Sequence, residues 1–179
     1  MVPESVEEPV RFMQQMVVLE YKHRSSPLAA EYTRKLKRGQ ITGHKCPECG
    51  LVYAPPTGFC SICVVLTNSK DHEVEVADRG TVTAFTIVDP IQYRGQEEHE
   101  VYALASILLD GASGTIGQQR IEEIPTDQVR MGMRVEAVWL PEAERKAGDP
   151  RAGLAGSIRY WRPSSEPDTP LEEFAEHII

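Results

Sequence analysis

The residues best placed to do chemistry are the four cysteines Cys46, Cys49, Cys60 and Cys63, which are all the thiols in a chain of 179 residues. They form two Cys-x2-Cys pairs separated by ten residues. Each pair offers two soft donors from one tight turn, and two such turns complete the tetrahedron that Zn2+ prefers. The gap is shorter than the usual spacing of about 15–20 residues, yet it leaves room for a hairpin that returns the second pair to the first. Gly50 directly follows Cys49 and suits the positive-φ turn that finishes such a knuckle. Four cysteine ligands leave no position open for water, so the expected metal is structural and not catalytic. Two disulfides or a redox pair are the rival chemistries. Glu4, Glu7 and Glu8 stand where an export signal would carry positive charge, so the chain is expected in the cytoplasm, where thiols stay reduced. His44 precedes Cys46 by two residues and is read as a surface neighbour of the site, not a ligand.

Other reactive groups are scattered. The five histidines, at 23, 44, 72, 99 and 177, fall in no recognisable catalytic motif, and no Gly-x-Ser-x-Gly elbow or phosphate-cradling glycine loop occurs. His99 sits among Glu97, Glu98 and Glu100, which is either a general base with carboxylate partners or a solvated polar loop. With every thiol assigned to the metal, none remains as an acyl nucleophile. Coenzyme A would need cations near an aromatic slot; the candidates are Arg94 beside Tyr93, and Arg159 and Arg162 flanking Tyr160 and Trp161. The formal net charge is −8. That excess of acid disfavours a nucleic-acid backbone as partner, because such affinity depends on clustered Lys and Arg. No apolar run reaches the roughly 18 residues of a membrane-spanning helix.

These residues need elements to position them. Residues 1–14 read as an acidic lead-in, and 15–24 as a short β-forming stretch. Leu28, Tyr32 and Leu36 recur every fourth residue, which predicts a helix over about 27–39 with Ser26 as cap, Pro27 in its first turn and Gly39 at its end. The N-terminal segment therefore spans 1–42 and the cysteine ribbon 43–68. Residues 73–163 turn to β patterns: 81–88, 101–109, 133–140 and 154–161, with 73–77 as a further short strand. Five short strands fit a small closed barrel of the OB type. The tail, 164–179, is acidic with apolar Leu171, Phe174, Ile178 and Ile179. The ribbon carries Leu51, Val52, Tyr53, Pro55, Pro56 and Phe59, too many apolar groups for it to bury alone, so they either cover the barrel or, with Phe174, face a partner.

The order of these pieces resembles a known family. Arg38-Gly39-x-Ile41-x-Gly43, the run Lys45 to Cys63 with Pro55-Pro56 between the cysteine pairs, and Arg79 to Val88 are similar to the DUF35 family, as are 102–112 with its Leu109-Asp110-Gly111 and 131–139. The resemblance spans roughly 15–163. It departs at 113–120, where the chain is more polar. It implies a rubredoxin-like zinc ribbon fused to an OB-fold, associated with acyl-CoA metabolism. It further implies a thiolase-like partner that carries the catalytic residues, in some cases with a hydratase. The expected role is a non-catalytic accessory subunit bordering the acyl-CoA channel, with cleavage of a steroid side chain one candidate reaction. A nucleic-acid-binding OB module and a stand-alone acyl-CoA-binding protein or enzyme are the alternatives.

Overall fold

The computed structural model describes residues 17–19, 24–89, 100–146 and 156–178. Helix α1 (Pro27–Lys37) starts where Ser26 accepts a hydrogen bond from the Ala29 amide at 3.1 Å and Pro27 takes the first turn. It buries Tyr32 and Leu36, the apolar face that its spacing predicts.

Five short strands follow. β1 (Ile41–Lys45) lies between β2 (Val52–Tyr53) and β5 (Glu73–Val76) in an antiparallel sheet, while β3 (Phe59–Cys60) and β4 (Val65–Leu66) form a separate two-stranded hairpin. Then comes a closed barrel of β6 (Arg79–Val88), β7 (Tyr102–Leu109), β8 (Thr115–Ile121), β9 (Arg134–Trp139) and β10 (Ile158–Pro163). Its order is β10-β8-β7-β6-β9, and every pairing is antiparallel except β10 with β8, which closes the barrel through Trp161 and Ile121. The fold is mainly β, with an N-terminal helix, a cysteine ribbon and a five-stranded barrel, as the sequence predicts.

Two strands differ from expectation. Residues 73–76, expected in the barrel, pair instead with β1 of the ribbon, through Ile41 to Val76 and Gly43 to Val74. The barrel's third strand is β8, built from the polar stretch after Ala112 that matched no strand pattern. Most of its side chains are half-buried or exposed, so the alternation that marks a strand is absent.

One core runs through the molecule. Trp161, Val82, Ile107, Val135 and Ala103 fill the barrel, each with no exposed surface, and Tyr32, Leu36, Ile41, Ala54 and Val76 extend the same cluster beneath the helix and the inner ribbon sheet. Gly80 permits the closest approach in the barrel, since a Cβ there would meet the Leu108 carbonyl oxygen at 2.2 Å. The hairpin β3–β4 stands apart from this cluster.

Candidate metal centre

Strand β1 runs into the first knuckle, Cys46 to Gly50. There the Cys46 amide donates to the Leu51 carbonyl at 2.8 Å and the Gly50 amide to the Cys46 carbonyl at 3.0 Å. Gly50 takes φ +77°, the left-handed turn expected of it. The second knuckle joins β3 to β4, and the Val64 amide donates to the Cys60 carbonyl at 2.8 Å. The two knuckles face each other and bring the sulfurs of Cys46, Cys49, Cys60 and Cys63 within 4.8 Å of one another. Cys49 Sγ and Cys60 Sγ, from opposite knuckles, are 3.7 Å apart. A tetrahedron with arms of about 2.3 Å places its sulfurs roughly 3.8 Å apart, so the four thiols fit a metal ion such as zinc.

The protein prepares these donors unequally. The Cys63 amide donates to Cys60 Sγ at 3.4 Å, and the Tyr53 hydroxyl lies 3.2 Å from the same sulfur. Chiefly through that amide, and then the hydroxyl, the Cys60 thiol is drawn down to about 6. Cys63 is pushed up to about 12, first by the neighbouring Cys49 side chain, because clustered thiols cannot all ionise without a cation among them. Tyr53 thus serves the sulfur cluster directly. Cys46 and Cys60 are buried, Cys63 is half-buried and Cys49 is exposed.

His44 corrects an expectation. It is 3% exposed, not a surface residue, and its Nδ1 donates to the Thr67 carbonyl. That bond ties the inner sheet to the chain leaving the second knuckle, and satisfying the ring nitrogen is what allows a histidine inside.

The apolar ribbon residues divide between the two fates left open for them. Val52 packs on the common core and Ala54 is buried within it. Val52 is also fastened to the barrel, accepting from the Ser113 amide at 2.8 Å while its own amide donates to Ser113 Oγ at 2.9 Å. Leu51 and Pro56 are half-buried and Pro55 is exposed. Phe59 is 51% exposed, and with it on the hairpin stand Ile62 at 70%, Val64 at 82% and Leu66 at 68%. Phe174, expected at a partner face, is instead 2% exposed. Its ring lies against Gly132, 3.5 Å from where a Cβ would be, because the tail folds back on its own barrel.

Of the coenzyme A candidates, only Arg159 and Arg162 fall among the described residues. Trp161 points into the core and gives its indole N–H to Gln119, while the half-buried Tyr160 donates its hydroxyl to Glu123 at 2.6 Å. Arg162 is paired with Glu136 at 2.8 Å and Glu123 at 3.6 Å, and Arg159 is exposed. Tyr93, Arg94 and His99 lie outside the described residues.

A second polar centre was not anticipated. Arg134 holds Asp110 at 2.6 and 2.7 Å, Glu166 at 2.7 and 2.8 Å and Thr81 Oγ1 at 3.1 Å. Its pKa is raised well above the usual guanidinium range, first by Asp110. With Arg130 clasping Asp168 and Thr81 meeting Thr169, it straps the tail across an open cleft of about 490 Å³. Only the Leu109-Asp110-Gly111 turn signalled it in the sequence.

Comparison with known proteins fits this geometry. Residues 73–140 match the family described as ChsH2, C-terminal OB-fold domain. A DUF35 domain-containing scaffold protein of Methanocaldococcus jannaschii is 26% identical over 121 residues, covering 68% of this chain and 82% of that protein. A DUF35 protein of unknown function from Sulfolobus solfataricus superposes with a TM-score of 0.54 at 19% identity, over 78% of this chain and 87% of that one. A chain of the Ltp2–ChsH2(DUF35) aldolase gives 0.53 at 20% identity, over 79% and 98%. The two superpositions establish a shared fold, and the sequence matches bear out the resemblance to DUF35. Among the described residues, no helix is long and apolar enough to cross a membrane.

Proposed function

We propose that this protein, whose ribbon and barrel resemble the DUF35 family, is the non-catalytic accessory subunit of a thiolase-like complex that makes or breaks a carbon–carbon bond next to a coenzyme A thioester. The observation that carries this reading is the commitment of every thiol to one closed cluster, which leaves no cysteine to accept an acyl group. The names of its relatives point the same way, one a scaffold protein and one part of an aldolase. Zn2+ bound by Cys46, Cys49, Cys60 and Cys63 would supply a fixed tetrahedral node with no exchangeable position, hence shape and not Lewis-acid chemistry. The chain's own residues do the rest. Tyr53 and the Cys63 amide prepare the sulfurs, and Val52 with Ser113 locks the ribbon to the barrel. The barrel would border the acyl-CoA channel of the catalytic subunit, with retro-aldol cleavage of a steroid side chain one candidate for the reaction.

The test is reconstitution. The chain and the thiolase-like proteins of its host are produced separately and mixed, and cleavage of β-hydroxyacyl-CoA thioesters is followed. Turnover by one mixture, with little by either component, is the expected result. Turnover by this chain alone, or a thiolase-like enzyme indifferent to its addition, overturns the proposal.

A further inference from the structure

The two knuckles make the same turn with opposite chemistry. The first ends in Gly50 at φ +77°, amid Lys45, Pro47 and Glu48. The second ends in Val64 at φ +56°, a left-handed conformation that β-branched residues rarely adopt and that glycine would take freely. That turn lets the Val64 amide close the knuckle onto the Cys60 carbonyl, but its side chain is left 82% exposed. Beside it stand Ile62 at 70%, Leu66 at 68% and Phe59 at 51%, all on one short hairpin. The surrounding sequence is equally unusual. From Leu51 to Ser69 there is no Asp, Glu, Lys, Arg or His, in a chain that is 26% charged. A strained, apolar, uncharged projection beside the four-cysteine cluster has the makings of a recognition surface.

We propose that the β3–β4 hairpin, through Phe59, Ile62, Val64 and Leu66, is the anchor that seats this chain on its catalytic subunit, in an uncharged apolar recess of that partner. The proposal rests on the accessory-subunit reading and gives it a location. Charge decides the occupant. A buried contact with this hairpin asks for a surface without charges, because nothing along 51–69 could pair with one. A second copy of the chain is the poorer occupant, since each carries a formal net charge of −8 and two copies repel. The inner ribbon face is already spent on the barrel through Ile41, Ala54 and Val76, so the outer hairpin is the side left for a partner.

The double variant Ile62→Ser/Val64→Gly removes two apolar groups while giving the strained position the residue that suits it. Leu66→Ser probes the opposite strand of the hairpin. Both are made in the full chain, and metal content and far-ultraviolet circular dichroism establish that each variant folds and keeps its cysteine site. The probe is the thiolase-like protein that responds in the reconstitution above, immobilised for binding measurements. Loss of affinity by about tenfold or more in each correctly folded variant is the expected result, in line with truncation of central interface anchors. Unchanged affinity overturns the assignment of the hairpin and leaves the accessory role intact. Failure of the unaltered chain to bind any thiolase-like protein of its host overturns both. A concentration-dependent dimer of the unaltered chain that the double variant abolishes assigns the hairpin to a second copy and overturns the proposal.

Discussion

The barrel and the outer hairpin are built differently. The barrel closes around Trp161, Val82, Ile107 and Val135, none of which has exposed surface. The hairpin 59–66 shows most of its apolar surface to solvent, and two of its residues, Cys60 and Cys63, turn inward to meet Cys46 and Cys49. Burial builds the barrel; a metal on the four thiols would fasten the hairpin, alongside the Tyr53–Cys60 and His44–Thr67 contacts. A segment held by metal ligands can present apolar side chains outward, whereas a segment held by burial must spend them. The inner sheet mediates between the two, contributing Ile41 and Val76 to the core and Cys46 to the sulfur cluster.

The difference is most sharply drawn by removing the metal ligands. Cys60→Ser should abolish stoichiometric zinc and disorder the hairpin, since structural zinc contributes on the order of 10 kcal/mol to small metal-folded units. The barrel signals in a two-dimensional NMR spectrum should persist. Collapse of the whole spectrum would mean that the two regions are one cooperative unit.

Trp161→Ala attacks the other side. Emptying the centre of the barrel should cost about 3–5 kcal/mol, read from denaturant unfolding, with zinc stoichiometry in the remaining folded fraction unchanged. Alkali gives a third probe. Burial raises the Tyr32 hydroxyl from 10.0 to about 12, so the folded state favours the neutral phenol. Its contribution is complete below pH 10 and is lost as pH rises towards 12, amounting to roughly 2–3 kcal/mol. Tyr32→Phe should therefore blunt the alkaline unfolding edge followed by circular dichroism; an unchanged edge would sever helix α1 from that transition. The smallest effect belongs to Ser26→Ala, which removes the helix cap at about 1 kcal/mol and should lower the melting temperature by a few degrees without altering metal content.

The sequence was legible wherever one residue type meets one physical demand. Cysteine spacing located all four donors. The spacing of Leu28, Tyr32 and Leu36 located α1, and β-branched runs located four of the five barrel strands. Strand β8 escaped because Gly117, Gln118 and Gln119 carry no apolar alternation, Gln118 takes φ +54° and β8 meets β10 through one residue pair. Glu73 to Val76 is an unmistakable strand whose partner cannot be read from its own pattern, since alternation specifies a face and not a neighbour. His44 was misplaced for a similar reason. Its burial depends on a carbonyl 23 residues away. The tail's return, with Phe174 on Gly132 and Arg134 gripping Glu166, likewise depends on contacts distant in sequence.

Amide hydrogen exchange of the zinc-loaded chain, before and after a strong chelator, is the most direct measurement of whether metal alone fastens the outer hairpin. The account predicts that the Val64 and Thr67 amides lose their protection while Val82, Ile107 and Val135 in the barrel keep theirs. Equal loss in both regions, or a hairpin indifferent to the chelator, would contradict it.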